Sequence, residues 1–408
     1  MKLLCLSNGH GEDAIAVQIL RHLQADTDRL AALPLVGEGK AYAQLEGVPI
    51  VGPVRQMPSG GFVYMDGRQL LRDLRGGLLP LLGAQVRAVR RWTRQGGAIL
   101  AVGDIVPLAL AWLSGADYAF VGTAKSEYYL RDDRGPLSRQ SWAQQWEGWS
   151  GSVYLPWERW LMSHPRCRAV FPRDGLTTRM LQKWAIPAFD LGNPMMDNLQ
   201  PQGAIAPEVP GQFSLNLTLL PGSRTPEAYE NWGLIADAVE ALAVTGESPC
   251  GWAAIAPSLE LHPFCQILEN RGWQEIPLKG SRGERQFNRD NATIILTRDG
   301  FNDCLHRGEV AIAMAGTATE QFVGLGKPAI AIPGQGPQFT PAFAEAQSRL
   351  LGPSLIVAET PTDVAETVRS LLNDPERLQA IAKNGPHRLG QPGAARRIAN
   401  CLILQAKN

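Results

Sequence analysis

The sequence has no excess charge of either sign: 39 Lys+Arg stand against 39 Asp+Glu in 408 residues. A protein whose main partner is nucleic acid carries a strong basic excess, so that class is set aside. Cysteine is scarce and scattered. Cys5, Cys167, Cys250, Cys265, Cys304 and Cys401 form no C-x-x-C pair, which leaves neither a zinc site nor a disulfide framework, and no metal site is expected. They read as small buried hydrophobes of a reducing compartment. Long apolar runs are missing too. The most apolar stretch, 96–120, contains Asp104, Pro107, Gly115 and Asp117, and an internal Asp and Pro argue against a spanning helix. Residues 1–7 are too short an apolar segment for a secretory signal. A cytoplasmic protein is expected. Several enzyme signatures are absent as well. After the first apolar run Gly9, Gly11 and Ala14 leave the third glycine of G-x-G-x-x-G unfilled, and no GK[ST], H-E-x-x-H or G-x-S-x-G occurs.

What is present is abundant turn chemistry. Glycine (42) and proline (30) exceed their usual combined share of ~12%, and they punctuate short apolar runs. Residues 2–7, 48–51, 98–102, 119–122, 169–171 and 189–191 read as strands, each followed by a Gly- or Pro-containing turn. Several lead into amphipathic helical stretches such as 14–23. The pattern restarts after the Pro/Gly-rich segment 201–211, a candidate linker, with strands at 215–220, 251–255, 292–296, 310–313, 329–332 and 354–357. Strands alternating with helices indicate parallel sheets covered on both faces, here in two successive α/β domains.

Three loops in the second half carry phosphate-binding chemistry. PGSRTPE at 221–227 follows a strand: Gly222 permits close backbone approach, Ser223 offers a hydroxyl and Arg224 a bidentate phosphate donor. A helix-capping turn is the competing reading. AGTATEQF at 315–322 places Gly316, Thr317, Ala318 and Thr319 at a helix start, where free backbone N–H groups and the helix dipole suit a diphosphate. Glu320, one turn on, could accept hydrogen bonds from a ribose. PGQGPQFT at 333–340 offers Gln338 to sugar hydroxyls, on the strand edge where open α/β sheets bind ligands. In the first half, NGHGED (8–13) and Gly103–Asp104 stand out. Asp104 interrupts the most apolar stretch, so it is either a general base whose pKa burial raises or a helix N-cap. His10 is a base, a diphosphate donor or a turn residue without a chemical role. Phosphate-binding groups in one domain and a base in the other suit an enzyme that joins two substrates across an interdomain cleft.

Charge is uneven along the neutral chain. Between Arg68 and Arg94 lie seven Arg and one Asp, interleaved with leucines, and Trp142, Trp146, Trp149, Trp157 and Trp160 follow. This composition suits either an anionic membrane surface or a solvated helix face beside an ordinary folded lobe.

The motifs SNGHGEDAIAVQIL (7–20), LGNPMMD (191–197), LLPGSRTPE (219–227) and GTATE (316–320) occur in an order that resembles the lipid-A-disaccharide synthase family of sugar-nucleotide glycosyltransferases. The resemblance is greatest to its bacterial synthase-related branch and spans nearly the whole chain. It implies a GT-B fold: two facing Rossmann-like domains with a cleft between them, at 1–200 and 201–375. A C-terminal helical segment, 376–408, would recross to the first domain, with its helix at 378–404 broken near 385–392. It further implies an inverting, metal-independent hexosyltransferase that takes a UDP-sugar, such as UDP-N-acetylglucosamine, as substrate and needs no cofactor. The acceptor would be lipid-linked or otherwise membrane-associated, and the protein peripheral on the cytoplasmic face of a bacterial membrane. Gly222, Ser223, Arg224, Gly316, Thr317 and Glu320 match the family's nucleotide positions, with Phe301, Ala318, Thr319 and Gln338 beside them, and Asp104 falls at the family's proposed base. The first loop departs from the GEASGD-like pattern. NGHGED aligns only Asp13, so Asn8, Gly9, Gly11 and Asp13 are assigned to an acceptor loop of different specificity. Two other readings stand beside this one: a sugar-nucleotide epimerase, and a non-catalytic sugar-nucleotide or lipid-binding protein on the same fold.

Overall fold

The computed structural model describes residues 2–55, 78–138, 148–205, 211–278, 280–334, 336 and 338–407. They form two compact units, Met1–Asp197 with Gly390–Asn408, and Asn198–Leu389.

The first unit contains β1 (Lys2–Ser7), α1 (His10–Leu23), β2 (Arg29–Pro34), α2 (Leu78–Thr93), β3 (Ala98–Gly103), α3 (Ile105–Leu113) and β4 (Tyr118–Gly122). A two-residue hairpin, β5 (Arg131–Asp132) with β6 (Gly135–Pro136), precedes α4 (Pro156–Met162), β7 (Cys167–Phe171) and α5 (Gly175–Gln182). Five strands make a parallel sheet in the order β2-β1-β3-β4-β7. Alternate residues of β1 serve opposite cores: Leu3 and Cys5 pack with α1, whereas Leu4 and Leu6 pack with Leu108 and Ala111 of α3. Burial on both faces explains why these strands read as continuous apolar runs. The chain leaves β1 for β2 on one side and returns to β3 on the other, so the order reverses between β1 and β3.

The second unit runs β8 (Leu215–Leu220), α6 (Glu227–Val244), β9 (Pro249–Ala254), α7 (Leu261–Glu269), β10 (Gln274–Ile276), β11 (Arg285–Arg289), β12 (Ala292–Thr297) and α8 (Phe301–Arg307). It continues with β13 (Val310–Ala313), α9 (Thr317–Gly324), β14 (Ala329–Ala331), α10 (Pro341–Leu351), β15 (Leu355–Val357), α11 (Pro361–Leu372) and α12 (Pro375–Leu389). Its sheet has the order β10-β11-β12-β9-β8-β13-β14-β15, parallel from β12 to β15 with an antiparallel edge at β10 and β11. Here the order reverses between β8 and β13.

The chain returns to the first unit at Gly390, not at 376. Residues 376–389 stay with the second unit because α12 is bound there. Asn384 donates to the Leu351 carbonyl at 2.7 Å, and Arg388 donates to those of Arg349 and Leu350 at 3.0 and 2.9 Å. After a break at 390–393, α13 (Ala394–Lys407) buries Ala395, Ile398 and Ala399 in the α1 core. The motif residue Asp197 fixes this return, accepting from the N–H groups of Gly393, Ala394 and Ala395 at 2.5, 3.0 and 2.8 Å.

Other expectations shift in detail. Residues 48–51 make only a single bridge, Ile50 to Ala32, because Pro49 has no N–H to continue a ladder. Residues 189–191 likewise lie beside one bridge, Ala188 to Val170. The expected linker is partly tied down: the N–H groups of Gln202, Gly203 and Ala204 all donate to Asp303, and 206–210 lie outside the described residues. Trp142, Trp146, Arg68, Arg72 and Arg75 also lie outside them. Within 96–120 are a strand, a nine-residue helix and the start of another strand. Among the described residues no helix is long and apolar enough to cross a membrane.

Candidate functional site

In the second unit the carboxyl ends of β8, β13 and β14 are neighbours, and each leads into one of the sequence-predicted loops. Gly222 has φ +102°, a conformation that favours glycine. A Cβ there would come within 3.2 Å of the Met314 carbonyl oxygen, so glycine lets the β8 and β13 loops touch. Asn231 of α6 joins them, donating to the carbonyls of Pro221 (3.0 Å) and Met314 (3.4 Å). Buried Glu227 holds the third loop, accepting from the N–H groups of Gln338 (3.1 Å) and Phe339 (2.6 Å). Neither bracing residue was singled out from the sequence, although each sits at or near the start of a helix that follows a marked motif.

The braced loops present open groups. Ser223 and Arg224 are exposed, and among the described residues the Arg224 guanidinium has no hydrogen-bond or ion-pair partner. Gly316 caps α9 without a side-chain hydrogen bond, so the first backbone N–H groups of that helix remain to bind an anion. Thr317 is exposed, and Ala318 and Glu320 are half-buried. Thr319 turns away, fully buried, and donates to the Ala315 carbonyl at 2.6 Å. Gln347 of α10 fixes the same turn by donating to the carbonyls of Ala315 and Gly316, each at 3.1 Å. Gln338 is exposed. Phe301 is set apart, opening α8 after β12, with β9 lying between β12 and β8.

In the first unit Asn8 and Gly9 follow β1, and Gly103 ends β3 with Asp104 next to it, again at the reversal of strand order. His10 opens α1, and its side chain lies outside the described residues. Gly11 has open space around it. Asp13 points inward: it is 2% exposed and accepts from Ser7 Oγ, itself bonded to Tyr42 Oη, both at 2.5 Å. It thus ties α1 to β1.

Asp104 fills both roles open in the sequence. Its Oδ1 accepts from the Val106 N–H at 2.9 Å and so caps α3, while among the described residues Oδ2 accepts no hydrogen bond. Burial pushes its carboxyl up to about 6. That value includes the opposing Val106 N–H and Lys125 ammonium, which lower it, and the Glu12 and Glu158 carboxylates, which help to raise it. Glu12 Oε1 accepts from Thr123 Oγ1 at 3.3 Å, and Lys125 pairs with buried Glu158 at 2.5 Å. Glu12 lies within NGHGED but was given no role from the sequence, and Thr123, Lys125 and Glu158 lie in no recognisable motif. They meet Asp104 only because β1, β3 and β4 are adjacent.

No protein-family model and no curated protein sequence matches the chain. Solved structures do, over its whole length. The UDP-N-acetylglucosamine 2-epimerase of Neisseria meningitidis, bound to UDP-N-acetylglucosamine, is 12% identical with a TM-score of 0.56, covering 100% of both chains. MurG of Acinetobacter baumannii is 14% identical with a TM-score of 0.56, covering 99% of both. UGT2 of Phytolacca americana, complexed with UDP-2-fluoro-glucose and pterostilbene, is 11% identical with a TM-score of 0.58, covering 100% of both. At these identities the likeness is one of fold. The chain has the GT-B fold.

Proposed function

We propose that the protein is an inverting glycosyltransferase of the lipid-A-disaccharide synthase type, moving a sugar from a UDP-sugar to a hydroxyl of a lipid-linked or other membrane-associated acceptor. The observation that carries this reading is Asp104, a carboxylate whose Oδ2 accepts no hydrogen bond among the described residues and whose pKa is raised to about 6, at the reversal of strand order where open α/β sheets bind ligands. At neutral pH it is ionised yet more basic than an ordinary aspartate, as a general base for a hydroxyl should be. The acceptor proton passes to Asp104, the acceptor oxygen forms a bond to the anomeric carbon, and the bond from that carbon to the diphosphate oxygen breaks. Arg224 and the open start of α9 stabilise the charge on the departing UDP. This reading gives that work to the protein's own groups and assigns no metal or cofactor.

A membrane-associated acceptor is supported by one face of the first unit. On α2, Arg87, Arg90, Arg91 and Arg94 with its adjoining turn are exposed. Arg90 donates to the Leu113 carbonyl at the end of α3, and the Trp112 ring meets Trp160 of α4 at 5.3 Å. Trp157 and Trp160 remain 53% and 54% exposed. Arginine attracts anionic headgroups, and tryptophan favours the interfacial depth.

A second reading, a sugar-nucleotide epimerase, is favoured by the full-length likeness to the Neisseria enzyme. Product analysis separates the two. Under the transferase reading, incubation with UDP-N-acetylglucosamine alone leaves the sugar configuration unchanged, and UDP release depends on added bacterial lipid extract. Conversion of UDP-N-acetylglucosamine to its 2-epimer without acceptor would establish the other.

A further inference from the structure

The start of α6 carries two buried polar side chains one turn apart, Glu227 and Asn231. Asn231 joins the β8 and β13 loops, on which Arg224 and the approach to α9 lie. Glu227 serves a different loop. Its Oε1 accepts from two successive N–H groups, those of Gln338 and Phe339. That loop closes on itself, with the Gly334 N–H donating to the Phe339 carbonyl at 2.9 Å. It wraps the carboxylate so closely that a Cβ on Gly336 would collide with the Glu227 side chain. Burying a carboxylate is costly unless it is hydrogen-bonded, and an apolar side chain would hold a surface loop without that cost. What the carboxylate adds is direction. The two N–H groups belong to the planar peptide units on either side of Gln338, so one oxygen sets how the Gln338 side chain leaves the backbone. That side chain is exposed and makes no hydrogen bond among the described residues.

We propose that Glu227 is a positioning residue for the donor sugar: it aims Gln338 at the sugar hydroxyls, so that the site distinguishes a UDP-sugar from UDP. The proposal rests on the reading of the second unit as the UDP-sugar site. A side-chain amide both gives and takes hydrogen bonds, as a sugar hydroxyl does. On a loose loop much of that gain is spent on ordering the loop. With both flanking peptides already held, only the Gln338 side-chain torsions remain to be ordered. The nucleotide half of the site does not depend on this brace. The β8 and β13 loops are held to each other by Asn231 and by their close approach at Gly222. Releasing the β14 loop therefore weakens the hold on the sugar and leaves the hold on UDP. Neighbouring turns of one helix thus divide the donor, with Asn231 behind the nucleotide loops and Glu227 behind the sugar loop.

The test is calorimetric titration of the full-length protein with UDP, UDP-N-acetylglucosamine and UDP-glucose. In Glu227→Ala the Kd of the preferred UDP-sugar should rise roughly three- to tenfold, the loss of one hydrogen bond, while that of UDP stays within about twofold. Gln338→Ala should behave alike. The double variant should lose no more than Gln338→Ala alone, because one residue acts through the other. Glu227→Gln keeps an oxygen for both N–H groups and should restore UDP-sugar binding. Amide hydrogen exchange over 338–344 gives a readout without ligand: it should quicken in Glu227→Ala and stay at the wild-type rate in Glu227→Gln. Equal weakening towards UDP and UDP-sugar, unchanged UDP-sugar binding in Glu227→Ala, losses that multiply in the double variant, or unchanged exchange would overturn the proposal. So would a wild type that binds UDP but neither sugar nucleotide, and that result would leave the nucleotide site standing. A wild type that binds none of the three would instead remove the reading of the second unit, and the proposal with it.

Discussion

At the scale of single residues, Asp104 bears the clearest consequences. A base with a pKa of about 6 makes kcat/KM rise with pH through that value, because only the carboxylate takes a proton. Asp104→Asn keeps the oxygen that caps α3 but cannot act as a base, so turnover should fall at least ~10²-fold and the acid limb near pH 6 should disappear. Stability moves the opposite way. A carboxyl raised in the folded state favours folding while protonated, and that contribution is lost as pH rises from its ordinary value near 3.8 through about 6. The Asn variant should therefore be at least as stable as wild type at pH 7. Undiminished turnover in a pH-rate series would return Asp104 to capping alone. This residue was legible in the sequence because a charge inside an apolar run has to be explained. Its neighbours Lys125 and Glu158 were not, since the residue types are ordinary and only the fold brings them near, and Glu12, although inside NGHGED, carried no signal of its own.

At the scale of elements, the loops after β8, β13 and β14 were readable from Gly, Ser and Thr following apolar runs, because strand-to-helix turns need those residues. The strand β2 was not apparent: its sequence, RLAALP, lacks β-branched residues and is held by pairing with β1. The edge strands β10 and β11 were hidden by polar, partly exposed composition. The α2–α3–α4 face belongs to this scale too, since no single residue in it would hold a membrane. Each arginine near an anionic surface contributes about 1 kcal/mol, and salt screens the effect. The protein should sediment with phosphatidylglycerol-containing vesicles at low salt and be released by high salt. Binding should drop when Arg87, Arg91 and Arg94 are all changed to Gln, substitutions that spare the bond from Arg90 to Leu113. Absence of pelleting at low salt, or equal pelleting with neutral phosphatidylcholine vesicles, would make the face an ordinary solvated surface.

At the scale of the whole molecule, two doubly wound units followed from alternating strands and helices, and the return of the chain to the first unit followed from the resemblance. The point of return did not. Gly385, Pro386, Gly390, Pro392 and Gly393 each offer a place to break a helix, and Pro386 nonetheless lies inside α12. Gly385 is needed there for a different reason: a Cβ would collide with the Val323 carbonyl of α9. The break falls where Asp197 caps α13, a contact between residues almost two hundred positions apart that no local pattern reveals. The central claim for the molecule is that its second unit holds the nucleotide of a UDP-sugar between the β8 loop and the start of α9. Calorimetric titration with UDP, on wild type and on Arg224→Ala, tests it most directly. Wild type should bind UDP, and the variant should bind it about 1.5–3 kcal/mol more weakly, roughly tenfold or more in Kd, with unchanged melting temperature. No binding by wild type, or equal Kd in the two proteins, would contradict it.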